Sequence, residues 1–315
     1  MLRYIAIRLL SVVPVVGVVV VVIFLLLHLA PGDPAAMIAG ESASIEQIDR
    51  VRKELRLDEP LHVQFAIWMT NLASFDLGRS VFYGLPVTQL IGQRIEPTLM
   101  LATTTMTLTI LFAVPLGVIA AWRARTGVDR AVIMLSVASF STPVFIVGYV
   151  LIYIFAIQLQ WLPVQGYRPL SGGLGPCLRH LILPSTALAL VFSALVSRVT
   201  RAAMLEILDE DYIRTARAKG ARMPRVLLLH ALKNAGVPIM TVIGIGFAAL
   251  IGGVVVTESV FNIPGMGRLT IDAILQRDYP VVQGVMLTFS IVLIAINLLV
   301  DLSYSLFDPR IRYGS

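Results

Sequence analysis

Charge is scarce in this chain. Only 14% of its 315 residues are Asp, Glu, Lys or Arg, against roughly a quarter in an ordinary soluble domain. That shortage overrides the two soluble domains that length alone would suggest. Cysteine is scarcer still: Cys177 stands alone, so no internal disulfide can form and no thiolate cluster can hold a metal. The histidines His28, His62, His180 and His230 are far apart and lack ligand spacing. Lysine occurs only at Lys53, Lys219 and Lys233, never followed by Ser or Thr, which excludes a GxxxxGK(S/T) phosphate cradle. Neither a G-x-S-x-G elbow nor an H-E-x-x-H zinc helix is present. A net charge of +6, diluted by so much apolar sequence, gives no footprint for nucleic acid.

Apolar runs fill the space that charge leaves. Hydrophobic residues make up 57% of the chain, and a bilayer span needs about 20 mainly apolar residues. Six segments qualify: Leu9–Ala30, Thr98–Ala121, Ala131–Ile157, Leu181–Val199, Gly236–Thr257 and Val281–Leu306. The first is too long for a signal-peptide core and HLAPGDP offers no clear cleavage site, so it is expected to remain as an anchor. With the N-terminus inside, the inner segments hold 15 of the 25 Lys and Arg residues, and the outer ones 12 of the 19 acids. This asymmetry predicts both termini in the cytoplasm. The expected fold is an all-α polytopic membrane protein with six transmembrane helices. Residues 1–30 form the N-terminus and first span, 31–97 a small, mostly helical external insertion, 98–306 a five-span core, and 307–315 a cytoplasmic tail.

Local signals mark helices within the insertion. Ser44 and Gln47 read as a capping box ahead of Ile45, Ile48, Val51 and Leu55. Pro60 opens a helix carrying Leu61, Phe65, Trp68 and Leu72, and Pro86 another with Val87, Leu90 and Ile91. In the spans, Gly244, Ala248 and Gly252 lie four apart, a spacing that reads as close helix packing. The span interiors are almost free of ionisable groups, whereas ion-coupled carriers usually need them at depth. Glu258 lies near an outer end, and Arg198 and Asp301 towards inner ends. Active transport would therefore draw its energy from a partner at an inner surface.

The richest charge cluster falls in an inner connector, near residues 201–235. Asp209 can cap a helix with Glu210 and Asp211 in its first turn, Lys219 at its negative end and Gly220 as its stop. Tyr212, Ala216 and Gly220 share one side at four-residue spacing, and Arg214 and Arg217 project from roughly the other. Such a helix is either an amphipathic surface element or a plug whose Tyr212, Ala216 and Gly220 stripe enters a groove on another protein, with Arg214 and Arg217 as edge contacts. Pro224 would open the next helix.

At these residues the sequence resembles the permeases of ABC importers, in the dipeptide/oligopeptide (peptide/nickel-type) subclass. DYIRTARAKG is similar to their cytoplasmic coupling-helix motif, EAA, three residues, then Gly. Arg214, Thr215 and Ala216 occupy the EAA positions and Gly220 is retained. Arg and Thr depart from the general pattern, and RTARAKG looks like the peptide-importer form. PGDP (31–34), LGRS (77–80), STP (141–143), IPGMG (263–267), RDYPVVQG (277–284) and a terminal DPR (308–310) agree in order across nearly the whole chain.

The resemblance implies a non-catalytic membrane subunit in the bacterial or archaeal-type cytoplasmic membrane. Its implied partners are a sibling six-span permease, two cytoplasmic ATPases, an external solute-binding protein and membrane lipid. The chain would need no cofactor of its own; ATP and Mg would sit on the ATPases. Tyr212, Arg214, Thr215, Ala216, Arg217, Lys219 and Gly220 would couple to an ATPase. Ile263, Pro264, Gly265, Met266 and Gly267 would serve an outer gate or contact the binding protein. Related permeases serve peptides, nickel chelates, glutathione or oligosaccharides. The alternative is a secondary transporter or channel acting without ATPases, for which Asp301 and Asn297 are the candidate ion-site residues.

Overall fold

The structure is a computed structural model that describes residues 13–25, 35–36, 43–54 and 56–307. The basic N-terminus with Arg3 and Arg8, PGDP, and DPR with Arg310 and Arg312 lie outside the described residues. Among the described residues there is no strand, only an isolated bridge between Arg79 and Pro86.

The helices run in order as α1 (Val13–Leu25), α2 (Ile45–Glu54), α3 (Leu61–Ala73), α4 (Val87–Trp122), α5 (Gly127–Ser141) and α6 (Val144–Leu151). A π-helical turn, Ile152–Gln158, prolongs α6. There follow α7 (Leu174–Leu208), α8 (Asp211–Ala218), α9 (Met223–Asn234, π-helical in its middle), α10 (Gly236–Gly253), α11 (Val255–Val260), α12 (Met266–Leu275) and α13 (Tyr279–Phe307). Three of these helices, α4, α7 and α13, are long and apolar enough to cross a membrane, and two bent helix pairs bring the number to five. The described part of the expected first span is α1, shorter than the rest.

One expected span is not straight. Residues Ala131–Ile157 form α5 and α6, which meet at 99°. The break falls at Ser141–Pro143, where Thr142 is extended (φ −93°, ψ 123°). Proline removes an amide donor and drives its predecessor out of the helical region, so STP is a built bend. A second bend, of 64°, falls between α9 and α10, just ahead of the expected span Gly236–Thr257. The helix expected to begin at Pro86 does not stop before Thr98: it runs on as α4, with Pro97 and Pro115 inside it. Thr103, Thr104, Thr107 and Thr109 donate their hydroxyls to carbonyls four residues back, at 2.7–2.9 Å. That back-bonding lets a threonine-rich stretch lie in apolar surroundings.

The described residues divide into two compact units. The smaller holds the chain up to Ile95 together with Arg268–Val292. Its core is Val20, Ile23 and Leu287, covered by Phe65, Trp68, Leu72 and Leu77. Phe24 meets Phe65 edge-on at 5.1 Å, so α3 of the insertion packs on α1. The capping box is present: Ser44 N–H donates to Gln47 Oε1 at 2.8 Å and Gln47 N–H to Ser44 Oγ at 3.3 Å. LGRS and RDYPVVQG meet in this unit. The buried Asp278 carboxylate accepts the Ser80 hydroxyl and the amides of Val81 and Phe82. A Cβ on Gly284 would stand 2.5 Å from Val87 Cγ1, so both motifs encode close packing.

The larger unit holds Glu96–Gly267 and the chain from Leu293. Here α7 packs against α5, α6 and α10. A Cβ on Gly117 of α4 would lie 2.6 Å from Thr200 Cβ and 2.7 Å from the Ser197 carbonyl of α7. One on Gly244 would lie 2.3 Å from Val300 Cγ2, as its small-residue spacing predicts, whereas Gly252 faces open space.

Candidate functional site: a connector helix and a buried turn

The connector folds as α7, a tight corner at Asp209–Glu210, then the eight-residue α8. Its N-cap is Glu210, one residue later than sequence suggests, because Asp209 closes α7. The C-terminal stop is as expected. Gly220 adopts φ +82°, its amide bonds Arg217 O at 2.9 Å, and Ala221 N–H bonds Ala216 O at 3.1 Å. These two bonds make a Schellman motif, which favours glycine at that position.

One fully buried side chain and one tyrosine hydroxyl fix α8 to its own protein. Ile213 is fully buried, and the helix rests on Val226–Ala231, where Val226 and Ala231 are buried too. Tyr212 is half-exposed; its hydroxyl accepts Asn234 Nδ2 at 2.9 Å and lies 3.5 Å from the His230 carbonyl. Ala216 is half-buried, and Arg214, Thr215, Arg217, Ala218, Lys219 and Gly220 are exposed. Arg214 pairs with Asp211, at 3.1 Å, and both are open to solvent. Ile213 is the residue that the charge pattern conceals: a single isoleucine gives no periodicity, although it marks the inner side of the helix.

Below α8, its stem is clamped. Asp129 is buried and takes two bonds from the Arg201 guanidinium, at 2.6 and 2.8 Å, and one from the Arg125 amide at 2.9 Å. Two parallel charged bonds fix orientation as well as distance. Ser136 and Ser197 meet at 3.1 Å further along the same two helices, α5 and α7. The charges of Asp129 and Arg201 were visible in the sequence, but 72 residues separate them and no local pattern pairs them.

The turn Ile263–Gly267 has a different character. Ile263, Gly265, Met266 and Gly267 are buried, and Pro264 is partly so. The turn wraps around Glu258, itself fully buried. Thr98 Oγ1 donates to Glu258 Oε1 at 2.6 Å and accepts the Met266 amide at 2.8 Å. A Cβ on Gly265 would lie 2.0 Å from Glu258 Oε1, and one on Gly267 2.8 Å from Val255 Cγ2. The glycines let the backbone close over a carboxylate. Glu258 and Thr98 were the missed partners, and an acid in so apolar a stretch was the available signal. Among the described residues, no group of three His, Cys, Asp or Glu could hold a metal.

Three helices and two bent pairs that are long and apolar enough to cross a bilayer define the class of polytopic membrane proteins. Residues 113–313 match the family of binding-protein-dependent transport system inner membrane components, and residues 1–102 match that family's N-terminal region. The chain belongs to this family. It is 54% identical over 310 residues to a probable peptide ABC transporter permease of Sinorhizobium fredii, covering 98% of this chain and 99% of that one. It is 46% identical over 307 residues to a putative peptide transport system permease of Brucella abortus (97% and 98% covered). To a glutathione transport system permease of Escherichia coli it is 43% identical over 314 residues (99% and 100% covered). Its fold is like that of a chain of the inward-facing MetNI methionine ABC transporter, with TM-score 0.59 and 17% identity, over 70% of this chain and 97% of that one. The protein is a permease subunit of an ABC importer and a multi-pass inner membrane protein.

Proposed function

We propose that α8 is the element through which separate ATPase subunits drive this permease, and that the cargo is a small peptide or a similar solute. The observation that carries the first part is how α8 is held. One buried side chain, Ile213, seats it, while Arg214, Thr215, Ala218 and Lys219 remain exposed. A short helix held on one side is suited to enter a groove on a partner. Tyr212, Ala216 and Gly220 set its seat and its end; Arg214, Thr215, Arg217 and Lys219 supply its outer contacts. The Asp129–Arg201 clamp and the close approach of Gly117 to Thr200 join its stem to α5 and α4, so displacement of α8 would reach the spans. Coupling requires that the contact differ between nucleotide states, since equal affinity for both shifts no equilibrium.

The rest of the reading follows the family. Six spans place both termini in the cytoplasm. A sibling permease completes the passage, two ATPases carry ATP and Mg, and an external binding protein delivers the solute. Names of relatives support a peptide or glutathione-like cargo. The Ile263–Gly267 turn is a structural part of the outer gate, with Pro264 its most accessible member.

Substitutions on α8 test the coupling. In complexes assembled to normal levels, Ala218→Asp or Ala216→Arg should abolish uptake and the rise in ATP hydrolysis that loaded binding protein produces. Ala218 is exposed, so its variant should fold. Uptake and stimulated hydrolysis unchanged in both variants would refute the assignment.

A further inference from the structure

A cleft opens between the segment that links α6 to α7 and the first turns of α7. Arg168, Ser171, Gly172, Gly175, Arg179 and His180 surround a cleft of about 660 Å³, well within the range of ligand pockets. Its lining carries two guanidinium groups and an imidazole but no carboxylate. The loop is set rather than loose. Glu96 Oε1 accepts the Tyr167 hydroxyl at 2.8 Å and the Leu170 amide at 2.7 Å. Burial, then the bond to Glu96, pushes the Tyr167 phenol up, so it stays a donor. Arg179 Nη2 bonds the Trp161 carbonyl at 3.1 Å, and His180 Nδ1 bonds Pro176 O at 2.9 Å. Glu96 is thereby committed to the loop.

Beside the cleft, Leu174, Leu178 and Ile182 are exposed at four-residue spacing on α7, and Trp161 is 62% exposed. The helix that supplies Gly175, Arg179 and His180 to the cleft thus also exposes an apolar stripe. We infer that this cleft binds the phosphodiester headgroup of an anionic phospholipid, with its acyl chains along Leu174, Leu178 and Ile182. A soluble anion would need the charges but not the stripe, and the cleft is far roomier than inorganic phosphate requires. An acidic protein surface would leave the stripe uncovered. Arg and Trp at a membrane interface, one charged and one amphipathic, suit a headgroup with its chains.

The test uses the assembled transporter in nanodiscs containing phosphatidylglycerol or phosphatidylcholine. A photoreactive phosphatidylglycerol should label the wild-type chain within residues 161–182 far more strongly than the phosphatidylcholine analogue, which shares the phosphodiester but not the net negative charge. Each basic residue near an anionic surface contributes roughly fivefold to binding. Arg168→Gln with Arg179→Gln should therefore weaken phosphatidylglycerol retention, read by native mass spectrometry, on the order of twentyfold. Retention of phosphatidylcholine should not change. Equal labelling by both lipids would overturn the proposal. So would displacement of the lipid by glycerophosphoglycerol at matched concentration, which would mark a soluble-anion site. Loss of binding-protein affinity in the double variant, with lipid retention intact, would assign the cleft to an acidic protein instead.

Discussion

Helices α8 and α11 end in the same way. Each closes with a Schellman motif: Gly220 takes the left-handed position after α8 (φ +82°), and Asn262 takes it after α11 (φ +51°). Beyond the stop, the two regions part. After α8 the chain is exposed, and a Cβ on Gly220 would meet nothing within 4 Å. After α11 the chain dives under its own helix and buries Glu258, where a Cβ on Gly265 has no room. Both segments carry a glycine-bearing family motif, yet one glycine serves a backbone dihedral and the other serves packing. Motif resemblance alone did not separate an exposed helix end from a turn packed into the protein.

The largest predicted break is at the buried turn. Gly265→Val would force the Glu258 carboxylate off Thr98, which also receives the Met266 amide. Overpacking of this kind costs about 1–3 kcal/mol or more, so assembled complex should fall sharply in membrane fractions. Thr98→Val is the gentler form. It removes the hydroxyl that donates to the buried Glu258 carboxylate and accepts the Met266 amide, at about 1–3 kcal/mol, read as a lower unfolding temperature of the purified complex. Asp129→Asn should cost about 2 kcal/mol by weakening the bidentate bond to Arg201, with uptake falling more than chain abundance if the clamp transmits motion. Gly220→Ala meets only its dihedral penalty, about 1 kcal/mol, so abundance should hold while coupling weakens. Smallest in stability is Arg214→Ala. Its partner Asp211 is exposed, and such pairs contribute about 0–1 kcal/mol; any loss of uptake would then report contact with a partner. If Gly220→Ala proved as destructive to abundance as Gly265→Val, the contrast between the two regions would fail.

What was legible in the sequence was local. The Ser44–Gln47 box, the helix starts after Pro60 and Pro86, the start with Pro224 in the first turn, and the Gly220 stop each depend on neighbours within a few residues, and each is present. The α3 face with Phe65, Trp68 and Leu72 was legible from period alone, although not that α1 is what it covers. The polar ties were not. Ser80 bonds Asp278 across 198 residues and Thr98 bonds Glu258 across 160, distances over which composition says nothing about pairing. The 99° bend at Pro143 was hidden for a different reason. A hydropathy window averages across a break whose two halves are both apolar. The outward face of α8 was half legible: the charges marked an exposed helix, but Ile213 decided which way it turns.

The most direct measurement is cysteine cross-linking from α8. The single native cysteine, Cys177, is buried, so Thr215→Cys and Ala218→Cys would report from α8 with little background. In the assembled transporter, both positions should cross-link to an ATPase subunit, with a yield that changes between the nucleotide-free and ATP-bound states. No cross-link to an ATPase, or the same yield in every nucleotide state, would contradict the assignment of α8 as the coupling element.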